Sequence, residues 1–155
     1  MRGLEQLLAE HPFFEGMRGG DLELIAGCAR NARFEAGEYL FREGEPADHF
    51  FLLRSGLVSV EVHDPARGRI TVLSAGAGEV LGFSWLMPPY HWVFDARAME
   101  LTRSVVFDGA CLREKCEGDP RLGYDLLKRV TGVMMRRLEA ASVQLLDVYG
   151  GAAAS

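Results

Sequence analysis

No stretch of this sequence approaches the ~20 consecutive apolar residues that a membrane-spanning helix requires, so a transmembrane class is set aside. A signal-peptide layout is missing as well: Glu5 and Glu10 sit among Leu4, Leu7 and Leu8, which reads as an amphipathic helix. A cytoplasmic location is the expectation. Cysteine is scarce. Cys28, Cys111 and Cys116 are odd in number and lack a CxxC spacing, which argues against a disulfide framework, a zinc site or a four-cysteine cluster. All three are expected to be reduced and structural. The four histidines, His11, His49, His63 and His91, contain no H-x-H pair, so a metal enzyme is not expected. Basic charge is short too. Seventeen Lys and Arg stand against 22 Asp and Glu, a net charge of −5, which disfavours a broad phosphate-facing surface. No Gly-rich P-loop and no internal repeat are found.

What remains is a 155-residue chain with 48% hydrophobic and 25% charged residues, suited to one domain with a real core. It divides into three parts by periodicity. Residues 1–31 read as helices, with a stripe of Leu4, Leu7 and Leu8 and a second of Leu22, Leu24, Ile25 and Cys28. His11-Pro12 breaks the pattern between them, and Asp21 is the expected N-cap of the second helix. Over residues 32–108 the period falls to two, as in Val58, Val60 and Val62 alternating with Ser59, Glu61 and His63. Further strands are expected at Tyr39–Phe41, Phe50–Leu53, Ile70–Leu73, Trp92–Ala98 and Leu101–Phe107, punctuated by glycines, which indicates an all-β sandwich or roll.

Residues 109–149 return to helix. Asp119 caps and Pro120 takes the first helical position of a long final helix ending at Gly150, before a tail over residues 151–155. Leu127, Val130, Met134, Leu138, Ala141, Leu145 and Val148 recur at steps of three and four, an a/d seam that predicts a helix–helix homodimer. Arg129, Arg136 and Arg137 are expected on a solvated face with Glu139 nearby.

Helices, a glycine-punctuated β region and a long helix form the layout of the cyclic-nucleotide-binding domain family, and particular segments carry the resemblance. Gly44-Glu45-Pro46-Ala47-Asp48-His49-Phe50-Phe51-Leu52-Leu53-Arg54-Ser55-Gly56 resembles that family's turn–strand–turn signature. Phe34 to Phe41 is similar to the strand pair before it, and His11-Pro12-Phe13-Phe14 to its opening motif. The resemblance spans about Leu4 to Tyr149. It implies a mainly β fold with flanking helices: a double-stranded β-helix, or jelly-roll-like β-roll, over residues 1–150.

The family's phosphate-binding cassette resembles Gly78 to Trp92 here. In the family a glutamate of this stretch binds the ribose hydroxyl and a following arginine grips the cyclic phosphate. Those positions are Phe83 and Trp92 in this chain. A hydrogen bond to a charged group contributes ~1.5–3 kcal/mol, so losing both contacts weakens nucleotide binding by roughly 10²-fold or more. The resemblance places any remaining ligand site at Gly82, Phe83, Ser84, Trp85, His91, Trp92 and Val93. An atypical nucleotide or a small anion is the kind of ligand implied, with Ser84 and the amides of a one-turn helix as anion donors. His91 is expected in a loop or surface role, and Arg97 on the strand face away from Trp92. The aromatics Phe83, Trp85, Tyr90, Trp92 and Phe94 either fill an unused pocket or line one for a flat, less charged ligand.

The function expected is a stand-alone, non-enzymatic sensor domain acting on a partner protein. A non-sensing dimeric scaffold and a true cyclic-nucleotide binder with an atypical site are the alternatives. Because the chain stops at Ser155, no DNA-reading module and no direct DNA binding are expected.

Overall fold

The computed structural model describes residues 3–154, with side chains through residue 150. Two helices, α1 (Leu4–Glu10) and α2 (Gly19–Ala26), flank a 3₁₀ turn at Pro12–Phe14. The strands follow as β1 (Ala29–Phe34), β2 (Tyr39–Phe41), β3 (His49–Ser55), β4 (Leu57–Asp64), β5 (Gly68–Gly76), β6 (Val80–Leu81), β7 (Asp95–Ala98) and β8 (Thr102–Asp108). α3 (Gly109–Gly118) and α4 (Pro120–Ala154) close the chain. Among the described residues the strands form two four-stranded sheets, in the orders β1-β8-β3-β6 and β2-β7-β4-β5, with every pairing antiparallel. This is the expected β-roll with N-terminal helices and a long C-terminal helix.

Strand β3 separates two cores. Phe50 and Leu52 face the helices, among Phe13, Phe14, Ile25, Leu112, Leu122 and Val130. Phe51 and Leu53 face the interior of the roll, among Phe41, Val58, Leu81, Trp92 and Val106. The unbroken apolar run therefore follows from a strand covered on both sides. β4 departs from simple alternation. Val58 and Val60 point inward as expected, but Ser59 and Glu61 are also buried. Arg97 of β7 lies across that outer face, its Nε donating to Glu61 Oε1 at 3.2 Å and its Nη2 to Oε2 at 3.0 Å. The guanidinium holds the Glu61 carboxyl below the usual carboxylate range.

Several expectations are corrected. The first strand begins at Ala29, three residues before the boundary read from periodicity. Asp21 does not cap α2, which is preceded by Arg18; it lies in the first turn instead. There its carboxylate takes a bidentate pair from Arg121 of α4, at 3.0 and 2.6 Å, and its pKa is lowered by that partner. Trp92–Ala98 is not one strand: β7 covers Asp95–Ala98, while Trp92 exchanges backbone hydrogen bonds with Gly44 and Glu45 after a loop that holds a cis Pro88–Pro89 bond and Tyr90 at φ 58°. The final helix does not stop at Gly150 but runs to Ala154, so the expected tail is helical as far as it is described. Asp119 does cap it, accepting from the Leu122 amide at 3.3 Å.

The cysteine reading is also overturned. Cys28, in the turn just before β1, is joined to Cys111 of α3 in a disulfide with Cα atoms 5.7 Å apart. Cys116 alone is free, and burial pushes its thiol pKa up. The bond closes a loop across 83 positions of sequence and ties the start of the roll to the helix leading into α4. Replacing both residues, Cys28→Ser with Cys111→Ser, should lower unfolding free energy by about 2–4 kcal/mol relative to the oxidised parent. Denaturant titration checks this, and the reduced parent should match the double variant.

His11 links the N-terminal segment to the roll. Its Nδ1 accepts from the Phe13 amide at 3.2 Å, so Nε2 carries the proton and donates to Leu53 O at 3.3 Å. The Phe13 contact needs the neutral ring, and burial holds the pKa below the ordinary 6.5, against the Leu53 bond, which favours the charged form. The unfolded chain thus takes up a proton more readily than the folded one as pH falls through 6.5. The His11 contribution is complete above that pH and is lost below it, at no more than about 1.4 kcal/mol per pH unit. Between pH 7.5 and 5.5 the parent should lose more stability in urea titrations than His11→Asn.

Candidate functional site

The cassette segment leaves β6 at Gly82, where the backbone turns at φ 86°. A Cβ there would stand 2.9 Å from Cη2 of Trp92, so only glycine admits the indole at this distance. The Trp92 ring stacks on Phe41 with centroids 3.9 Å apart and planes 15° from parallel. It is 6% exposed and belongs to the core of the roll. Phe83 is half-buried on the other side, 5.9 Å from the Phe50 ring. Residues 84–86 form a hydrogen-bonded turn, with Leu86 N donating to Phe83 O at 3.0 Å, in place of the expected one-turn helix.

A cavity of about 380 Å³ opens beside this arrangement. Of the residues assigned to the site from sequence, Gly82, Phe83, Ser84, Trp92 and Val93 line it. Trp85 and His91 do not. Trp85 is buried beneath the helices against Phe50, its carbonyl accepts from Arg113, and its Nε1 has no hydrogen-bond partner among the described residues. His91 is exposed and its Nδ1 donates to Pro89 O at 2.7 Å. The five aromatics are therefore not one cluster. Trp85 and Trp92 lie in different cores, Tyr90 sits under Arg113 at 4.4 Å, and Phe94 stands at the cavity rim. Arg97, aimed away by alternation, is indeed occupied by Glu61.

Helix α4 supplies the remaining wall through Met134 and Arg137. Arg137 is the residue that reading the sequence missed, since it was assigned to a solvated face. Its guanidinium carbon lies 5.5 Å from the Phe83 centroid and Nη2 donates to Val80 O. Burial lowers its pKa from the ordinary value, partly opposed by Glu79. Arg137 also borders a groove of about 790 Å³ between α4 and β5, so it stands where the two meet. Arg129 is likewise not solvated. It pairs with Asp125 at 2.9 Å and donates to Phe13 O and Glu15 O, both at 2.8 Å. Arg136 is exposed as expected.

The helix seam divides in two. Val130 is turned into its own domain's core, together with Leu122 and Leu126. Leu127, Met134, Leu138 and Leu145 are 48%, 52%, 68% and 56% exposed, and Ala141 is exposed beside them. Residues 138–150 have exposed side chains throughout. Among the described residues no group of three or more His, Cys, Asp or Glu is placed to hold a metal, and no helix is long and apolar enough to cross a membrane.

Comparisons with known proteins agree with this architecture. A crystal structure of a protein provisionally assigned as cyclic nucleotide-binding, from Geobacter metallireducens GS-15, superposes with a TM-score of 0.79 at 33% identity, covering 89% of this chain and 99% of that one. A CRP-like cAMP-activated global transcriptional regulator of Mycobacterium tuberculosis is 25% identical over 146 residues, 94% of this chain and 63% of the regulator. A protein of Rhodopseudomonas palustris, provisionally assigned as a potassium channel, is 28% identical over 146 residues, 94% of this chain and 34% of its own length. The chain thus spans between about a third and two thirds of these curated relatives. The cyclic nucleotide-binding domain profile matches residues 31–119, and the chain belongs to that family.

Proposed function

We propose that this chain is a non-enzymatic regulatory domain that does not hold cyclic AMP or cyclic GMP in the manner of its family. It acts through a partner protein, as a homodimer paired along α4. One observation supports the reading: the Trp92 indole, at the sequence position that the resemblance gives to the family's phosphate-gripping arginine, is stacked on Phe41 and set against Gly82 inside the core. Phe83 likewise offers a ribose hydroxyl no acceptor. The same packing favours a scaffold with a filled pocket as the second reading, ahead of a true nucleotide binder. The relatives' names, a transcriptional regulator and a potassium channel, support a regulatory role read out by other protein parts. A net charge of −5 favours protein over DNA as the immediate target. A cytoplasmic setting fits this role, and there the Cys28–Cys111 pair is subject to reduction, because cytosolic thiols are kept reduced.

Titration calorimetry with either cyclic nucleotide should give no binding at micromolar affinity. A dissociation constant in that range or tighter overturns the reading.

The exposed stripe of Leu127, Met134, Leu138 and Leu145 supports a parallel, two-fold pairing, since contiguous apolar surface on this scale is uncommon on monomers. In light scattering the parent should have twice the chain mass and a folded Leu138→Asp, Leu145→Asp variant the mass of one chain. A monomeric parent, or an unchanged variant, removes the dimer from the proposal.

A further inference from the structure

Arg137 enters the cavity as its one charged side chain. Of the thirteen residues that line it, Ser84 carries the one neutral polar side chain, and the rest are apolar or glycine. Four of them, Phe41, Phe83, Trp92 and Phe94, present aromatic rings. Among the described residues no carboxylate forms an ion pair with Arg137, whereas Arg97, Arg121 and Arg129 are all paired. The guanidinium has five donors, of which the bond to Val80 O uses one. A half-buried cation in apolar surroundings is costly without an anionic partner, and a carboxylate meets a guanidinium with two parallel hydrogen bonds. Burial disfavours the charged form of this side chain, the charge of Glu79 offsets part of that without an ion pair, and an arriving anion relieves the rest.

We infer that the cavity between the cassette segment and α4 is a binding site for an aromatic monocarboxylate, with Arg137 as the counterion and Ser84 as a second hydrogen-bond donor. The inference rests on the reading that this site has left the family's nucleotide chemistry, and it names what replaces it. One guanidinium and one hydroxyl satisfy a single carboxylate and fall short of a doubly charged phosphate monoester; against a singly charged cyclic phosphate it is the walls that discriminate. The aromatic walls select a flat ring system over a ribose, whose hydroxyls would lose water without gaining partners. Size agrees. A cavity of ~150 Å³ holds benzene, so one of 380 Å³ accommodates about a two-ring acid. The family's arginine acts from the cassette strand; the cation here comes from a helix on the opposite wall, which reverses the ligand's polarity in the site.

The probe is 2-naphthoate, with its uncharged isostere 2-naphthamide and cyclic AMP alongside, titrated into the full chain at pH 7 by calorimetry and by amide shifts of Gly82 and Ser84. The expected result is saturable 1:1 binding of naphthoate, at least about tenfold tighter than naphthamide, with both amides shifting. Arg137→Gln should remove that preference, and Val93→Trp at the rim should weaken both ligands while leaving Arg137 in place. Thermal unfolding identifies any variant that fails to fold, in which case the naphthoate-to-naphthamide ratio in the parent decides. Equal affinity for acid and amide overturns the role of Arg137. Naphthoate binding that ignores Val93→Trp and leaves the Gly82 and Ser84 amides unmoved overturns the site. If neither naphthoate nor cyclic AMP binds, the ligand class falls and the regulatory reading stands with its scaffold alternative. Tight cyclic AMP binding overturns the regulatory reading's nucleotide clause, and the inference with it.

Discussion

Strand β3 has no face that meets water along Phe50–Leu53, and most of the molecule is arranged to supply both covers. Its inner side chains require the second sheet, so β4 and β7 must close over Phe51 and Leu53. Its outer side chains require helices, so α2, α3 and the first turns of α4 must close over Phe50 and Leu52. Burial of four large apolar side chains contributes roughly 1.5–3 kcal/mol each, enough to outweigh most single contacts elsewhere. The polar links serve this arrangement. His11 attaches the N-terminal turn to Leu53, Arg121 holds α4 to Asp21, Arg129 holds it to the turn after Pro12–Phe14, and Cys28–Cys111 ties α3 to β1.

The site is a consequence of where that packing ends. α4 is bound to the domain by Leu122, Leu126 and Val130, and from Met134 onward it passes beyond the cover that β3 needs. Arg137 lies at that limit. Its aliphatic stem and guanidinium cover Phe83 and the Val80 carbonyl, where the domain's own apolar side chains have run out. Trp92 fills one part of the neighbouring space because Gly82 lets the ring approach, and the cavity is what lies between the indole, Phe83 and the helix.

Elements whose residues carry their own period could be read from the sequence. The both-faces-buried strand at Phe50–Leu53, the inward valines of β4 and the Asp119-Pro120 helix start are local patterns with local causes. The roll itself became legible through the glycine-spaced segments and the family resemblance. What could not be read depended on partners distant in sequence. Asp21 looks like a cap until Arg121, 100 residues later, takes its carboxylate. Cys28 and Cys111 look unpaired because spacing rules describe neighbours and this bond spans the roll. Alternation did sort Trp92 and Ala96 inward and Arg97 outward, but it overran the strand, which begins only at Asp95. The substituted cassette positions Phe83 and Trp92 could be found by counting, whereas Arg137 could not, since nothing in its own helix distinguishes it from Arg136.

One helical turn connects the cavity to the exposed face. Met134 lines the cavity and is also half exposed toward the apolar stripe, while Leu138 directly follows Arg137 and points to solvent. Residues three and four apart share a side of a helix, so Met134 and Leu138 lie together on the stripe that would meet a second α4, while Arg137 and Met134 share the cavity wall. In the proposed dimer, a ligand held by Arg137 and a partner helix covering Met134 and Leu138 would act on the same turn of α4. Any coupling between the two would be reciprocal by thermodynamic necessity, its size the difference in ligand affinity between the paired and unpaired helix. The bidentate Asp21–Arg121 pair and the Arg129 contacts hold the first part of α4 against the domain, so any change of this kind is confined to the part of the helix beyond Val130.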